Sequence, residues 1–212
     1  MSVSKLNKVS VSVVGLTLLA STLVGVSAHA GVIINDGNCD LAGTGAVGDP
    51  FLIGTRQDLY EIEDDCISSS GGDIHFSQTQ NIDLGGIHHN DIDEPNGRDI
   101  FYDGNGYSIT GLANLKGNEK HGLFGDVEGD LTVSNLNLFA TTIIGSRSSS
   151  ANVGTLAGRV DDDFVANNVH VVVGTFFAGG ESGVLVGEVL EDATVTDSSV
   201  YVYRVSFGDD EA

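Results

Sequence analysis

Six histidines, two cysteines and a large excess of carboxylates are the residues of this 212-residue chain that could do chemistry. His88 and His89 are adjacent in a loop that also carries Asp91, Asp93 and Glu94, a donor set that a transition metal could use. Asp91-Ile92-Asp93-Glu94-Pro95-Asn96-Gly97 opens like a calcium loop, but its third ligand position is Pro95 and no glutamate stands at the twelfth position. Asp161-Asp162-Asp163 is a second acidic turn. Solvated loops are the expectation for both, because charge runs are usually exposed faces, and no metal ligand is assigned. No His is followed by Glu, so the helical zinc-peptidase motif is missing, as are a nucleophile elbow and a Walker loop. Gly104-Asn105-Gly106 is followed by no helix and is not a dinucleotide fingerprint. No catalytic residue and no cofactor are implied.

The cysteines read differently. Cys39 and Cys66 lack a C-x-x-C neighbour, which argues against redox catalysis and zinc. Residues 1–30 have the order of a secretory signal: Lys5 and Lys8, an apolar run from Val11 to Val26, then Ala28-His29-Ala30 before Gly31. The apolar run falls short of the ~20 residues that a spanning helix needs, so cleavage is expected, with no transmembrane helix afterwards. In an oxidising compartment the only cysteine pair is expected to form a disulfide.

The elements that must position these residues are strands. The chain has 29 Gly and only 2 Pro, with many Asn and Asp among Val, Leu and Ile, as suits an all-β protein with tight turns. One helix is expected: Thr55 as N-cap, Asp58 three residues later, then Leu59, Ile62 and Cys66 at helical spacing, ended by Ser68 to Gly72. Cys66 then lies on its buried face. Residues 31–120 are not repetitive and are read as an N-terminal cap with the first coils, including Phe101 to Ile109 as strand, Asp103-Gly104-Asn105-Gly106 turn, and strand.

Residues 121–212 repeat. Gly122-Leu123-Phe124-Gly125-Asp126-Val127 is answered by Gly154, Leu156, Gly158 and Val160, then by Gly183, Leu185, Gly187 and Val189. Each copy contains Leu-x-Gly-x-Val, whose period of two predicts Leu, Gly and Val on one strand face. A second strand follows in each: Asn135 to Leu138, Asn168 to Val171, Ser199 to Val202. Three linked copies predict a solenoid in which each unit buries its apolar face by stacking on its neighbours. The last coil, Val200 to Phe207, is followed by Gly208-Asp209-Asp210-Glu211-Ala212, too few polar residues to cover a coil. Self-association, another partner or a continuation is expected there.

Gly122-Leu123-Phe124-Gly125 with Val127 and Val133-Ser134-Asn135-Leu136 resembles the GLUG-motif family of exported bacterial proteins, named for Gly-Leu-any-Gly repeats. The resemblance covers most of residues 43–205; the second and third copies have one more residue between their flanking glycines. It implies a right-handed parallel β-helix, secreted or at the cell surface, as an adhesin-like scaffold or a non-catalytic part of a larger protein, with no active site. Its ligand would be an extracellular protein, polysaccharide or surface. The formal charge of −21 repels phosphate backbones and excludes nucleic acid as a partner. The alternative is a β-helix polysaccharide hydrolase or lyase, which would use a row of acids on a solvent-facing sheet. Here Asp126, Arg159 and Glu188, at equivalent repeat positions, carry mixed charges.

Overall fold

The structure is a computed structural model that describes residues 39–67, 72–114, 120–145, 151–179 and 181–207. The expected signal segment, 1–30, lies outside the described residues. In chain order the elements are β1 (Phe51–Ile53), helix α1 (Arg56–Glu61) continued by a π-helical turn (Ile62–Cys66), β2 (Ile74–Gln78), β3 (Ile82–Asp83), β4 (Ile92–Glu94), β5 (Ile100–Asp103), β6 (Ser108–Asn114) and β7 (Phe124–Val127). They continue as β8 (Leu131–Ile144), β9 (Asn152–Val153), β10 (Ala157–Val160), β11 (Phe164–Ala178), β12 (Glu181–Ser182), β13 (Val186–Val189), β14 (Ala193–Thr196) and β15 (Ser199–Phe207).

All these strands pair in parallel, and strands adjacent in a sheet come from successive turns of the chain. The protein is a parallel β-solenoid of about five turns. The first sheet stacks β1-β2-β5-β8-β11-β14; beyond a corner, β3, β6 and β15 pair with one another or with the second halves of β8 and β11. A second sheet stacks β4-β7-β10-β13, and β9 with β12 forms a short third layer.

Side chains at alternate positions point inward and form columns one rung apart. Ile74, Ile100, Leu131 and Phe164 form one column, and Phe76, Tyr102, Val133 and Ala166 the next, all buried. Bulk is exchanged across rungs: Phe124 pairs with Ala157, and its ring meets Tyr102 edge-on at 5.9 Å. Tyr102 and Gln78 bring polar atoms into this interior and satisfy each other there. The Tyr102 hydroxyl donates to Gln78 Oε1 at 3.1 Å, and Gln78 Nε2 donates to the carbonyls of Gln80 and Ser108.

Two polar ladders bind coil to coil. The amides of Asp130, Asp163 and Asp192 donate to Oδ1 of Asp99, Asp130 and Asp163 at 3.1, 2.9 and 3.2 Å, across separations of 31, 33 and 29 residues. Those separations are the coil lengths. At the corner, Asn105, Asn135, Asn168 and Asp197 have φ of 50°, 52°, 54° and 52°. Asn and Asp tolerate this left-handed backbone better than other side chains with a Cβ. Asn168 Nδ2 donates to Asn135 Oδ1 at 2.9 Å, and Asn135 Nδ2 to Asp103 Oδ1 at 3.0 Å.

The N-terminal helix starts as its sequence predicts, turns π-helical after Glu61, and its expected end at residues 68–71 lies outside the described residues. The Asp58 amide donates to Thr55 Oγ1 at 3.1 Å, and Asp58 Oδ2 accepts from the Thr55 amide at 2.9 Å, completing the capping box. Leu59, Ile62 and Cys66 are buried, and Cys66 is bonded to Cys39.

Candidate functional site

The repeat residues are placed in two kinds of environment. Leu123, Leu156, Val127 and Val160 are fully buried, while Leu185 and Val189, one coil further on, pack partly buried against the same core. The glycines do not share that face, which corrects the expectation of Leu, Gly and Val in one row. A Cβ on Gly125 would point at Asp91 and Asp93, one on Gly158 at the amide nitrogen of His121, and one on Gly187 at that of Val153. Just before each repeat strand the chain doubles back as a strap, through Lys120-His121, β9 or β12; the first lies directly over Gly158 and the second over Gly187, the central glycines of the next rungs. Gly122, Gly154 and Gly183 form the bends: a Cβ there would strike the backbone at Phe124 or Ala157, at Ala157 or Val186, and at Val186 respectively. His121 pairs with Val153 and Phe124 with Ala157, so the extra residue of the second copy is absorbed within the bend.

The mixed charges on this sheet are paired. Arg159 stands in register between Asp126 and Glu188. Its Nε lies 2.7 Å from Asp161 Oδ1 and 3.5 Å from Glu188 Oε2, and Lys120 pairs with Asp126. Burial and the neighbouring Glu181 raise the Glu188 carboxyl above its usual range, against Arg159.

The loop acids and histidines are dispersed into separate contacts. Asp91 Oδ2 meets His121 Nδ1 at 2.6 Å, while its Oδ1 accepts from the Gly122 amide at 3.2 Å and from Asn114 Nδ2. Asp93 Oδ1 accepts from the Asp126 amide at 2.8 Å, and burial raises this carboxyl. Glu94, fully buried, accepts from the amides of Asn96 and Arg98 at 3.0 and 2.9 Å. His89 is buried against Tyr60, with ring centroids 5.8 Å apart, and desolvation lowers its pKa to about 4. Among the described residues, no three His, Cys, Asp or Glu converge on a point where a metal could sit. The Asp91–His121 pair was not foreseen, since it forms only when adjacent coils stack.

The outward face of the first sheet is organised differently. His75, Phe101 and Thr132 stack in register along one row, and Ser77, Asp103 and Ser134 along the next. Between the rows lies an open trough of about 220 Å3, whose floor is the Phe76–Tyr102 region and whose end is bounded by Val47 and Pro50. The His75 and Phe101 rings are stacked, 4.5 Å apart and 14° from parallel. Asp103 Oδ1 is held by the Asn105 amide at 2.9 Å as well as by Asn135, and Asn105 Nδ2 donates to Ser77 Oγ at 2.7 Å. The Gly45 carbonyl, accepting from the His75 amide at 2.9 Å, fixes the bounding turn to the sheet.

No family model matches this chain, and no solved structure matches it. It is similar to Halomucin of Haloquadratum walsbyi, with 28% identity over 179 residues. The alignment covers 80% of this chain and 2% of Halomucin, so the chain spans a very small fraction of that relative's length.

Proposed function

We propose that this chain is an exported, non-catalytic β-solenoid of the GLUG-motif type that serves as a scaffold and binding module at the cell surface. The carrying observation is how the acids and histidines are used. Asp99, Asp130 and Asp163 accept backbone amides of the next coil, while Asp91, Asp93 and Glu94 hold neighbouring segments in place. These side chains build a rod. Among the described residues the only carboxylate lining the outer trough is Asp103, whereas glycoside hydrolysis of the usual kind uses two. The match to a short part of Halomucin is in keeping with a module that can be carried within a much longer chain.

The last coil supports a role in assembly. Leu190, Val195, Tyr201, Tyr203 and Val205 are exposed there, and among the described residues β13, β14 and β15 each pair on one side only, the acidic tail 208–212 lying outside them. An unpaired parallel edge with apolar side chains is a template for another strand, from a continuation or a partner. The test is fractionation of cells that express the full chain, with reducing-end assays on neutral and acidic polysaccharides. Surface-associated protein beginning at Gly31, with no sugar ends released, is expected. Cytoplasmic protein retaining Met1, or steady release of reducing ends, would overturn the reading.

A further inference from the structure

We infer that the trough on the outer face of the first sheet binds an uncharged saccharide chain lying along the solenoid axis. The inference rests on the binding-module reading and supplies its ligand class. The two walls of the trough differ in chemistry. One carries the stacked rings of His75 and Phe101; the other carries Ser77, Asp103 and Ser134. A sugar ring is likewise two-sided, with an apolar C–H face and a rim of hydroxyls. The two rings cover each other's facing sides and present their edges to the trough; burying the C–H face against those edges gains apolar contact, while the hydroxyls need polar partners once water leaves.

The polar wall is already set for hydroxyls. Asp103 Oδ1 is fixed by two donors, at 2.9 and 3.0 Å, so the second carboxylate oxygen is held in a defined position as an acceptor. Ser77 Oγ accepts from Asn105 and keeps its own proton to donate. Groups fixed before the ligand arrives lose little freedom on binding. Rungs repeat every ~4.8 Å, close to the length of one sugar ring, so an extended chain along the axis meets equivalent positions in turn. The charge of −21 and the single carboxylate in the trough disfavour anionic glycans and favour neutral ones.

The test titrates neutral gluco-, manno- and galacto-oligosaccharides into the full chain, followed by calorimetry and NMR shifts, with oligogalacturonate as the anionic comparison. At least one neutral series should bind, and oligogalacturonate should not. Phe101→Ala should weaken binding about tenfold, and Ser134→Tyr, which fills the trough from an outward position, should abolish it. If Phe101→Ala fails to fold by circular dichroism, Ser134→Tyr decides. The inference is overturned if no neutral series binds at millimolar concentration, or if binding survives Ser134→Tyr in a folded protein. In the second case the chain is still a binding module, through another surface. Cleavage of a ligand whose binding Ser134→Tyr abolishes would support the trough and defeat the non-catalytic reading instead.

Discussion

A methyl group added at Gly158 would lie 2.5 Å from the His121 amide nitrogen and 2.8 Å from the Gly125 carbonyl oxygen, both parts of the backbone. The first cannot move without lifting the strap from the sheet, nor the second without shifting β7. Gly158→Ala is therefore expected to destabilise the fold by roughly 1–3 kcal/mol, as overpacking does. At Gly48 nothing stands within 4 Å of the added methyl group, and Gly48→Ala should be nearly neutral. Urea unfolding of the two variants measures the contrast; equal midpoints would show that the strap is not seated on the glycine. The residue types of the repeat were legible in the sequence, but the role of its glycine was not. Period-two counting assumes a continuous strand, whereas Phe124 and Val127 pair with Ala157 and Val160 around a glycine that faces the strap.

At the scale of elements, the coils from residue 121 onward were legible because the apolar-and-glycine pattern recurs there. The earlier coils hid their kinship, having different core residues and shorter connections. Their shared signal is polar: Asp73, Asp99, Asp130, Asp163 and Asp192 each immediately precede a strand of the first sheet. The carbonyls of the last four accept from the first amide of the strand one coil earlier, at 2.8 to 2.9 Å. The trough was not legible, since His75 and Phe101 become neighbours only through strand register. The contact between α1 and the loop before β4 carries a pH signature. His89, stacked on Tyr60, has its pKa lowered from 6.5 to about 4, mainly by burial. Asp91 opposes this shift, while Arg56 and His88 add to it. The unfolded chain takes up this proton more readily, so the stability contributed by neutral His89 is complete above the unfolded pKa of 6.5 and is lost as pH falls toward 4. Over that window the wild type should lose roughly 3 kcal/mol more than His89→Phe, which keeps the ring contact and does not titrate. Urea denaturation of both proteins at a series of pH values reads the difference. Parallel stability curves would mean that the buried imidazole is not a source of acid sensitivity.

For the whole molecule, the solenoid turns sequence repetition into charge repetition. The chain carries 30 acidic against 9 basic residues, and the ladder sets Asp99, Asp130, Asp163 and Asp192 on successive rungs. Like charges ~4.8 Å apart repel by about 1 kcal/mol per pair in a water-like dielectric, and more near protein. The carboxylates of Asp99, Asp130 and Asp163 offset part of this by accepting an amide, but the repulsion remains and adds along the rod. Screening shortens the reach of that repulsion from about 10 Å at 0.1 M salt to about 3 Å at 1 M, which is less than the rung spacing. Stability is therefore expected to rise with sodium chloride up to molar concentration. Simple exclusion of salt from the surface would also stabilise, so the slope needs a charge control. Asp162→Lys with Glu191→Lys changes two turn residues that neighbour the ladder, Asp162 exposed beside Asp163 and Glu191 exposed beside Asp192. The double variant should be more stable than wild type at low salt, and the gap should close as salt rises. Thermal midpoints of both proteins across the salt series decide it. A gap that persists unchanged to molar salt would show that the stacked carboxylates do not govern the stability of the rod.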